Sequence, residues 1–285
     1  PRSTLFPYTT LFRSRVGIGT LEITPIYGIQ SQYRKSSDPS PINFLTTPWM
    51  NMLKKSQELG QQYGIQIDMN MGTGWPFGGP SVKTSEAAGK LEYYTKDATT
   101  SSDNPAITFE MNPASTSTLN CVMAFPQRIS GADTVDVTPF MDGNTLRWTP
   151  EQTGRWRIIA IYNGHTLQAV KRAAPGGEGL VLDHLDSAAV ANYIKVFETA
   201  FSRSGDPYPA TFFNDSYEIF NADWSPRFFE EFEKRRGYKL QHHLPELLRL
   251  STDKNNQVRS DYRETMGDMY IDNFVKPWTE FAHRH

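Results

Sequence analysis

The sequence has 285 residues and a nearly balanced charge, with 29 Lys and Arg against 31 Asp and Glu and a formal net charge of −2. Because such a chain lacks the broad basic field that attracts nucleic acid or an anionic membrane surface, we expect neither as a partner. The single cysteine, Cys121, excludes a disulfide framework and a cysteine-based zinc site. No apolar run approaches the roughly 18 residues that a membrane-spanning helix requires.

The two ends of the sequence suggest the expectation that the chain is a piece of a longer protein. Residues 1–14, PRSTLFPYTTLFRS, resemble the translated read-through of a sequencing adapter, and we interpret them as a non-native leader; a short edge strand or a disordered leader is the alternative. They lack the compact apolar stretch and the cleavage site of a signal peptide. At the other end, apolar residues recur at helical spacing from Val258 to Phe281, and the sequence stops without a capping residue. We therefore expect a C-terminally truncated domain.

The first part of the chain, residues 15–90, shows the pattern of a βαβ unit. Residues 21–28 predict a strand, residues 48–63 a helix with Thr47 as its N-cap, and residues 65–71 a second strand. A glycine-rich loop follows the second strand. Its glycine spacing matches neither a P-loop nor a dinucleotide-binding motif, so it is not expected to hold a phosphate.

The next part, residues 91–178, changes character, because Thr, Ser, Val, Pro and Gly become frequent and short strand-like runs appear. Asp142-Gly143-Asn144 and Asn163-Gly164 are turn or hairpin signals. We predict a small antiparallel β domain inserted into the surrounding fold. Its predicted strands are residues 91–95, 107–111, 121–125, 134–137 and 156–162.

The helix and strand alternation resumes over residues 179–285. The predicted elements are a buried strand at 180–183, a helix at 187–201 capped by Asp186 or Ser187, a strand at 210–218, and a helix that Ser225 and Pro226 open and Gly237 closes. Outside the insertion this gives four strands, each followed by a helix or loop. The count predicts an α/β fold that contains the N-terminal half of a (β/α)₈ TIM barrel, interrupted by the β domain. An open doubly wound sheet is the alternative.

Functional side chains in a barrel lie at the C-terminal ends of its strands. The candidates there are Glu22, Tyr27, Asp68, Trp75, Phe77, His184, Asn214, Asp215 and Glu218. The last strand end is the best catalytic candidate, because a carboxyl group beside apolar rings has its charged form disfavoured, which suits a general acid. In the alternative interpretation, Asp215 and Glu218 cap the next segment and pair with Arg227 or Arg236.

The other candidates are interpreted as substrate contacts. Trp75 and Phe77 in the glycine-rich loop offer an apolar face for a sugar ring, and packing of that loop onto the barrel rim is the alternative. His184 is a candidate substrate ligand, whereas Asp186 is more simply a helix N-cap. No metal ligands are predicted from residue spacing.

Four long segments, residues 21–28, 72–80, 171–179 and 214–228, resemble the α-L-rhamnosidases of glycoside hydrolase family 106. The resemblance implies a (β/α)₈ barrel with a β insertion and inverting hydrolysis of terminal α-L-rhamnosyl linkages in plant or bacterial polysaccharides. It also implies Glu218 as general acid, and a calcium ion near the sugar in some members, whose ligands it does not place. For the full-length protein it implies a periplasmic or extracellular location.

An inverting glycosidase needs a second carboxylate, which activates water. We expect this general base beyond His285, so the 285-residue chain by itself is expected to be inactive or nearly so, and prone to aggregation. Two other functions remain open at this point. One is a non-catalytic carbohydrate-binding barrel protein, and the other is a barrel glycosidase for a different sugar. The oligomeric state is not indicated by the sequence.

Overall fold

The computed structural model describes residues 15–26, 40–214, 216–251 and 256–285, so two predicted site residues, Tyr27 and Asp215, lie outside the described residues. The strands are β1 (Thr20–Ile23), β2 (Gln66–Asn70), β3 (Gly78–Gly79), β4 (Gly89–Thr100), β5 (Ile107–Glu110), β6 (Thr118–Gln127), β7 (Val135–Asp136), β8 (Met141–Asp142), β9 (Thr145–Trp148), β10 (Gly154–His165), β11 (Leu180–Val181) and β12 (Thr211–Phe213). The α-helices are Thr47–Gln62, Ser187–Ser204, Phe228–Arg236, Leu244–Leu247, Gln257–Tyr270 and Lys276–Arg284, and a π-helical turn spans Ile271–Val275. The fold is mixed α/β.

The chain divides into two compact units. The first, here called the α/β unit, comprises Pro1–Ala88, Leu167–Phe220 and Asn273–His285. The second, the β-rich unit, comprises Gly89–Thr166 and Asn221–Asp272. The domain boundaries expected from the sequence, after residues 14, 90 and 178, stay a prediction, because compactness alone does not show which segments fold independently.

The α/β unit contains a parallel sheet with the strand order β1-β2-β12. The helix Thr47–Gln62 connects β1 to β2, which confirms the predicted βαβ unit. The helix begins at Thr47, the residue predicted as its N-cap, so the N-cap of the structure is Thr46. Gly64 ends the connection with φ of 67°, a left-handed conformation that glycine adopts without steric cost.

The predicted buried strand at residues 180–183 is present at Leu180–Val181, but it does not join the parallel sheet, as the barrel strand count had expected. Leu180 and Val181 form β11, which pairs antiparallel with β3 in a separate two-stranded sheet. A short apolar run indicates burial but not the direction of its partner. The partner here is Gly78–Gly79, and a Cβ at Gly78 would lie 2.2 Å from the carbonyl oxygen of Leu180. The parallel sheet of the described residues therefore has three strands instead of the expected four.

The helix Ser187–Ser204 covers the aromatic core of the α/β unit. Asp186 caps it, because its Oδ1 accepts a hydrogen bond of 2.9 Å from the Ala188 N–H, and Gly205 ends it at φ of 66°. Tyr193 and Phe197 on its buried face make edge contacts with Trp278 from the helix Lys276–Arg284. The predicted helix at 187–201 and the capping interpretation of Asp186 are thus confirmed.

The β-rich unit is built on two antiparallel sheets, with strand orders β4-β10-β6-β7 and β5-β9-β8. All five predicted strands of this region are present. Its core is a set of buried residues that includes Ile107, Val122, Leu146, Trp148, Trp156 and Ile158. On the sheet surface Arg157 and Arg155 donate hydrogen bonds to Asp97, and mainly the bond from Arg157 lowers the pKa of Asp97 to about 2. Residues 221–272 add helices to this unit.

The two turn signals of this region have different outcomes. Asp142-Gly143-Asn144 lies in the hairpin between β8 and β9, as predicted. Asn163-Gly164, in contrast, lies within β10, where Asn163 pairs with Leu91 on one side and Thr118 on the other. Pairing on both sides of β10 outweighs the local turn preference of that dipeptide. None of the helices within the described ranges has the length and apolar character needed to cross a membrane.

Candidate active site

A pocket of about 430 Å³ lies in the α/β unit and is lined by Trp75, Lys171, Arg172, Ser216 and Glu218. Three separate segments supply these residues: the glycine-rich loop after β2, the residues before β11, and the loop after β12. The chain thus brings together two of the predicted site residues, Trp75 and Glu218. The three other lining residues were not among the sequence candidates.

The glycine-rich loop is fixed to the segment before β11 by backbone hydrogen bonds. The Trp75 N–H donates to the Lys171 carbonyl at 3.0 Å, and the Lys171 N–H donates to the Trp75 carbonyl at 2.7 Å. Gly74 permits this close approach, because a Cβ at that position would lie 2.4 Å from the Lys171 carbonyl oxygen. These two hydrogen bonds therefore fix the backbones that carry the Trp75 ring and the Lys171 side chain relative to each other.

The loop that carries Glu218 is held by the side chain of Gln168. The Gln168 Nε2 donates to the Glu218 carbonyl at 2.8 Å, and its Oε1 accepts from the Phe220 N–H at 2.8 Å. Asn214, another predicted site residue, accepts a bond of 3.3 Å from the Ser216 N–H and so shapes the start of the loop. Gln168 thus fixes the backbone on both sides of the residue after Glu218.

The Glu218 carboxylate faces a lysine. Its Oε2 lies 3.5 Å from the Lys171 Nζ, and that ammonium also lies 4.4 Å from the centre of the Phe220 ring. Both charged side chains are about half exposed, so we expect the pair to contribute only about 0–1 kcal/mol to stability. Arg227 and Arg236, the partners considered for Glu218, form ion pairs with acids of the β-rich unit, at Glu230, Glu231, Glu264 and Asp268.

His184 is buried beneath the same loop. Only 1% of its surface is exposed, and its Nδ1 lies 2.8 Å from the Leu182 carbonyl oxygen. Its ring makes an edge contact with Tyr217, whose centre is 5.2 Å away, and packs 4.3 Å from Phe274. His184 does not line the pocket but supports the residue next to Glu218.

Burial lowers the pKa of His184 to about 4 from its ordinary value of 6.5. Between about pH 6.5 and pH 4, His184 is therefore protonated in the unfolded chain but stays neutral in the folded protein. We expect the free energy of unfolding to fall as the pH drops from about 6.5 toward 4, by at most about 3 kcal/mol. Urea unfolding of wild type and His184→Gln at pH 7 and pH 4.5 measures this. His184→Gln should reduce the pH dependence, and the exposed His242→Gln should not; equal pH dependence in all three proteins contradicts the expectation.

Three further sequence candidates within the described residues, Phe77, Glu22 and Asp68, do not line the pocket. Phe77 is 2% exposed, and its ring packs against Tyr193, Phe274 and Trp278, so it belongs to the core in this structure. Glu22 and Asp68 are register partners on the neighbouring parallel strands β1 and β2. Glu22 is exposed and Asp68 is half-buried.

The side chains described do not provide an evident metal centre. Within residues 15–26, 40–214, 216–251 and 256–285, no group of three or more His, Cys, Asp or Glu side chains could hold a metal ion. Calcium also binds backbone and side-chain amide oxygens, so the calcium ion that the resemblance implies stays a prediction.

Comparison with known proteins identifies relatives of the chain among the glycoside hydrolases. The family model for alpha-L-rhamnosidase, glycoside hydrolase family 106, matches residues 93–285. A curated protein of Formosa agariphila named "Putative beta-glucuronidase" is 23% identical over 315 residues, which cover 93% of this chain and 27% of that protein. A solved rhamnosidase from Novosphingobium sp. PP1Y shares the fold, with a TM-score of 0.76 at 14% identity over 98% of this chain and 43% of that one.

These matches place the chain in the class of glycoside hydrolases. Because the family model covers more than half of the chain, the chain belongs to the alpha-L-rhamnosidase family, glycoside hydrolase family 106. The chain spans 27% of the curated relative's length and 43% of the solved rhamnosidase.

Removing the Gln168 side chain tests whether it positions the candidate acid. We expect Gln168→Ala to lower kcat by about tenfold or more with little change in KM, because small misplacement of a catalytic group is costly. Gln168→Glu keeps the oxygen that accepts from the Phe220 N–H but loses the donor to the Glu218 carbonyl. Its kcat should therefore lie between those of wild type and Gln168→Ala. The exposed Gln61→Ala is the control. Steady-state kinetics of the full-length protein, at matched folded concentration, measures this, and a loss of stability without a change in kcat contradicts the positioning role.

Proposed function

We propose that the protein hydrolyses terminal α-L-rhamnosyl linkages, with Glu218 as the general acid. The single observation that carries the proposal is that the Glu218 carboxylate and the Trp75 ring line one pocket in a chain of this family. A tryptophan face packs on the apolar side of a sugar ring, and a carboxyl group at the glycosidic oxygen can deliver the proton that the departing oxygen needs.

The position of the site agrees with a barrel architecture. Trp75 follows the C-terminal end of β2 and Glu218 follows the C-terminal end of β12, and these strands are parallel neighbours. Active sites of (β/α)₈ barrels lie at that end of the sheet. We propose that the three-stranded sheet is part of such a barrel, into which the β-rich residues are inserted.

The proposed reaction is inverting. Glu218 gives its proton to the leaving oxygen as the bond from that oxygen to the anomeric carbon breaks, while a second carboxylate accepts a proton from the attacking water. Glu218 is the one acid among the described residues that line the pocket, so the second carboxylate is proposed to come from elsewhere in the full-length protein. Asn214, Asp215, Tyr27, Glu22 and Asp68 stay predicted substrate contacts.

The proposal is tested with 4-nitrophenyl glycosides and the longest reading frame that contains this chain. We expect turnover of the α-L-rhamnoside, with the β-anomer of rhamnose as the first product in proton NMR. Retention of configuration would contradict the inverting mechanism. Turnover of none of the glycosides in the panel would favour a non-catalytic carbohydrate-binding protein.

A second candidate is a glycosidase for an acidic sugar. The name of the curated relative, a beta-glucuronidase, and the two cationic residues in the pocket, Lys171 and Arg172, favour it. Faster turnover of the β-D-glucuronide than of the α-L-rhamnoside would support this candidate over the first. For either sugar we propose a polysaccharide substrate outside the cytoplasm.

A further inference from the structure

Lys171 links two of the segments that line the pocket. Its backbone forms an antiparallel bridge with Trp75 in the glycine-rich loop. Its ammonium reaches the loop after β12, where the Nζ lies 3.5 Å from the Glu218 Oε2 and 4.4 Å from the centre of the Phe220 ring. A cation is attracted to the face of an aromatic ring. Two contacts therefore hold the Lys171 ammonium beside the candidate acid.

The backbones that carry this contact are held on both sides. Gln168 bonds to the Glu218 carbonyl and to the Phe220 N–H, each at 2.8 Å. The Lys171 main chain is bonded to that of Trp75 at 3.0 and 2.7 Å. Gln168 thus orients the backbone at the candidate acid, and Lys171 orients the carboxyl group itself.

The contact determines which oxygen of Glu218 can carry the proton that a general acid transfers. An ammonium group has three donors and no acceptor. The Oε2 that accepts from Lys171 cannot present a proton to the same group, so the proton is expected on Oε1. A general acid works when its proton is directed at the reacting oxygen. Lys171 therefore leaves Oε1 as the oxygen that faces the substrate.

Lys171 also faces the charge that proton transfer produces. When Glu218 protonates the glycosidic oxygen, the O–H bond of its carboxyl group breaks and the electron pair stays on the carboxylate. The bond from the glycosidic oxygen to the anomeric carbon breaks as well, and its electron pair stays on the departing oxygen. A positive charge 3.5 Å from the carboxylate stabilises it more than it stabilises the neutral acid. A fixed charge beside a developing opposite charge lowers the barrier.

We propose that Lys171 is a positioning residue for the acid step, which directs the Glu218 proton to Oε1 and stabilises the carboxylate that remains. Lys171 keeps its own proton throughout the reaction. This inference rests on the proposed function, because Lys171 acts only through Glu218.

The test compares Lys171→Met with wild type in the full-length protein, each at its own pH optimum. Methionine keeps an unbranched side chain beside Phe220 but removes the charge. We expect kcat/KM for rhamnosyl-glucose to fall about tenfold, less than after loss of a buried donor, because the pair is half exposed. For 2,4-dinitrophenyl rhamnoside, whose leaving group departs without protonation, the fall should be less than about twofold. Lys171→Arg keeps the charge and should retain most of the activity.

Lys55→Met is the matched control. Lys55 forms an exposed ion pair with Glu58 at 3.1 Å, on the helix Thr47–Gln62, and does not line the pocket. Its substitution should leave both rates unchanged. In the Glu218→Gln background, Lys171→Met should cause no further loss for the disaccharide, because the acid through which Lys171 acts is gone.

Equal losses for the two substrates, no loss for the disaccharide, or the same loss in the Glu218→Gln background overturns the inference. Glu218→Gln alone separates this inference from the proposed function. If Glu218→Gln shows the dependence on the leaving group and Lys171→Met does not, only the role of Lys171 is wrong. If Glu218→Gln lacks that dependence, Glu218 is not the acid and both proposals are wrong.

Discussion

Glu218→Gln is expected to reduce kcat/KM by about a thousandfold for a rhamnoside with a sugar leaving group, because the amide cannot deliver the proton that this oxygen requires. For a 2,4-dinitrophenyl rhamnoside the reduction should be small, since that leaving group departs without protonation. The ratio of the two reductions is therefore the diagnostic quantity. Steady-state kinetics of both substrates, with wild type and variant of the full-length protein, measures it.

The control for this substitution is Glu178→Gln, which changes an exposed glutamate of the same unit that does not line the pocket. It should leave both rates unchanged. The fold of Glu218→Gln should persist, because the exposed pair with Lys171 contributes at most about 1 kcal/mol. Equal losses for the two substrates in a folded Glu218→Gln protein would remove Glu218 from the acid role.

Gly74→Ala is the second substitution with a large expected effect. The added Cβ would lie 2.4 Å from the Lys171 carbonyl oxygen and 2.8 Å from the Val170 Cγ1. Because the closer atom belongs to a paired backbone, the overlap can be relieved only by moving the Trp75 and Lys171 segments apart. We expect a loss of about 2–3 kcal/mol in the free energy of unfolding, together with weaker sugar binding.

Gly267→Ala gives the opposite expectation from the same chemical change. Gly267 lies exposed in the helix Gln257–Tyr270, and a Cβ there meets nothing within 4 Å. Alanine should stabilise the helix by about 1 kcal/mol, because glycine is the poorer helix former. Chemical denaturation of the two variants and wild type compares them, and a Gly74→Ala protein as stable as wild type would contradict the close approach in the structure.

Local sequence patterns predicted most of the elements, because their causes lie within a few residues. The cap at Asp186 and the stop at Gly237, which has φ of 80°, depend only on neighbouring backbone groups. The β-rich strands were also recognisable, although β10 is longer than expected. The partner of β11 could not be predicted, because pairing with Gly78–Gly79 depends on contacts about a hundred residues apart in the chain.

The candidate site was predictable only in part, for the same reason. Trp75 and Glu218 stand out because an aromatic residue in a glycine-rich loop and an acid after a strand each suggest a sugar site. Gln168, Lys171 and Arg172 were missed, since their roles come from a backbone bridge to Trp75 and from contacts with the loop after β12. The burial of Phe77 and His184 likewise follows from tertiary packing with Phe274, which no local pattern shows.

The central claim is that the sugar binds between Trp75 and Glu218, and a crystal structure of the protein with a bound rhamnoside tests it most directly. We expect the rhamnosyl ring to pack on the Trp75 ring, with its glycosidic oxygen within hydrogen-bonding distance of the Glu218 carboxylate. A rhamnoside bound elsewhere in the protein, with this pocket empty of sugar, would contradict the claim.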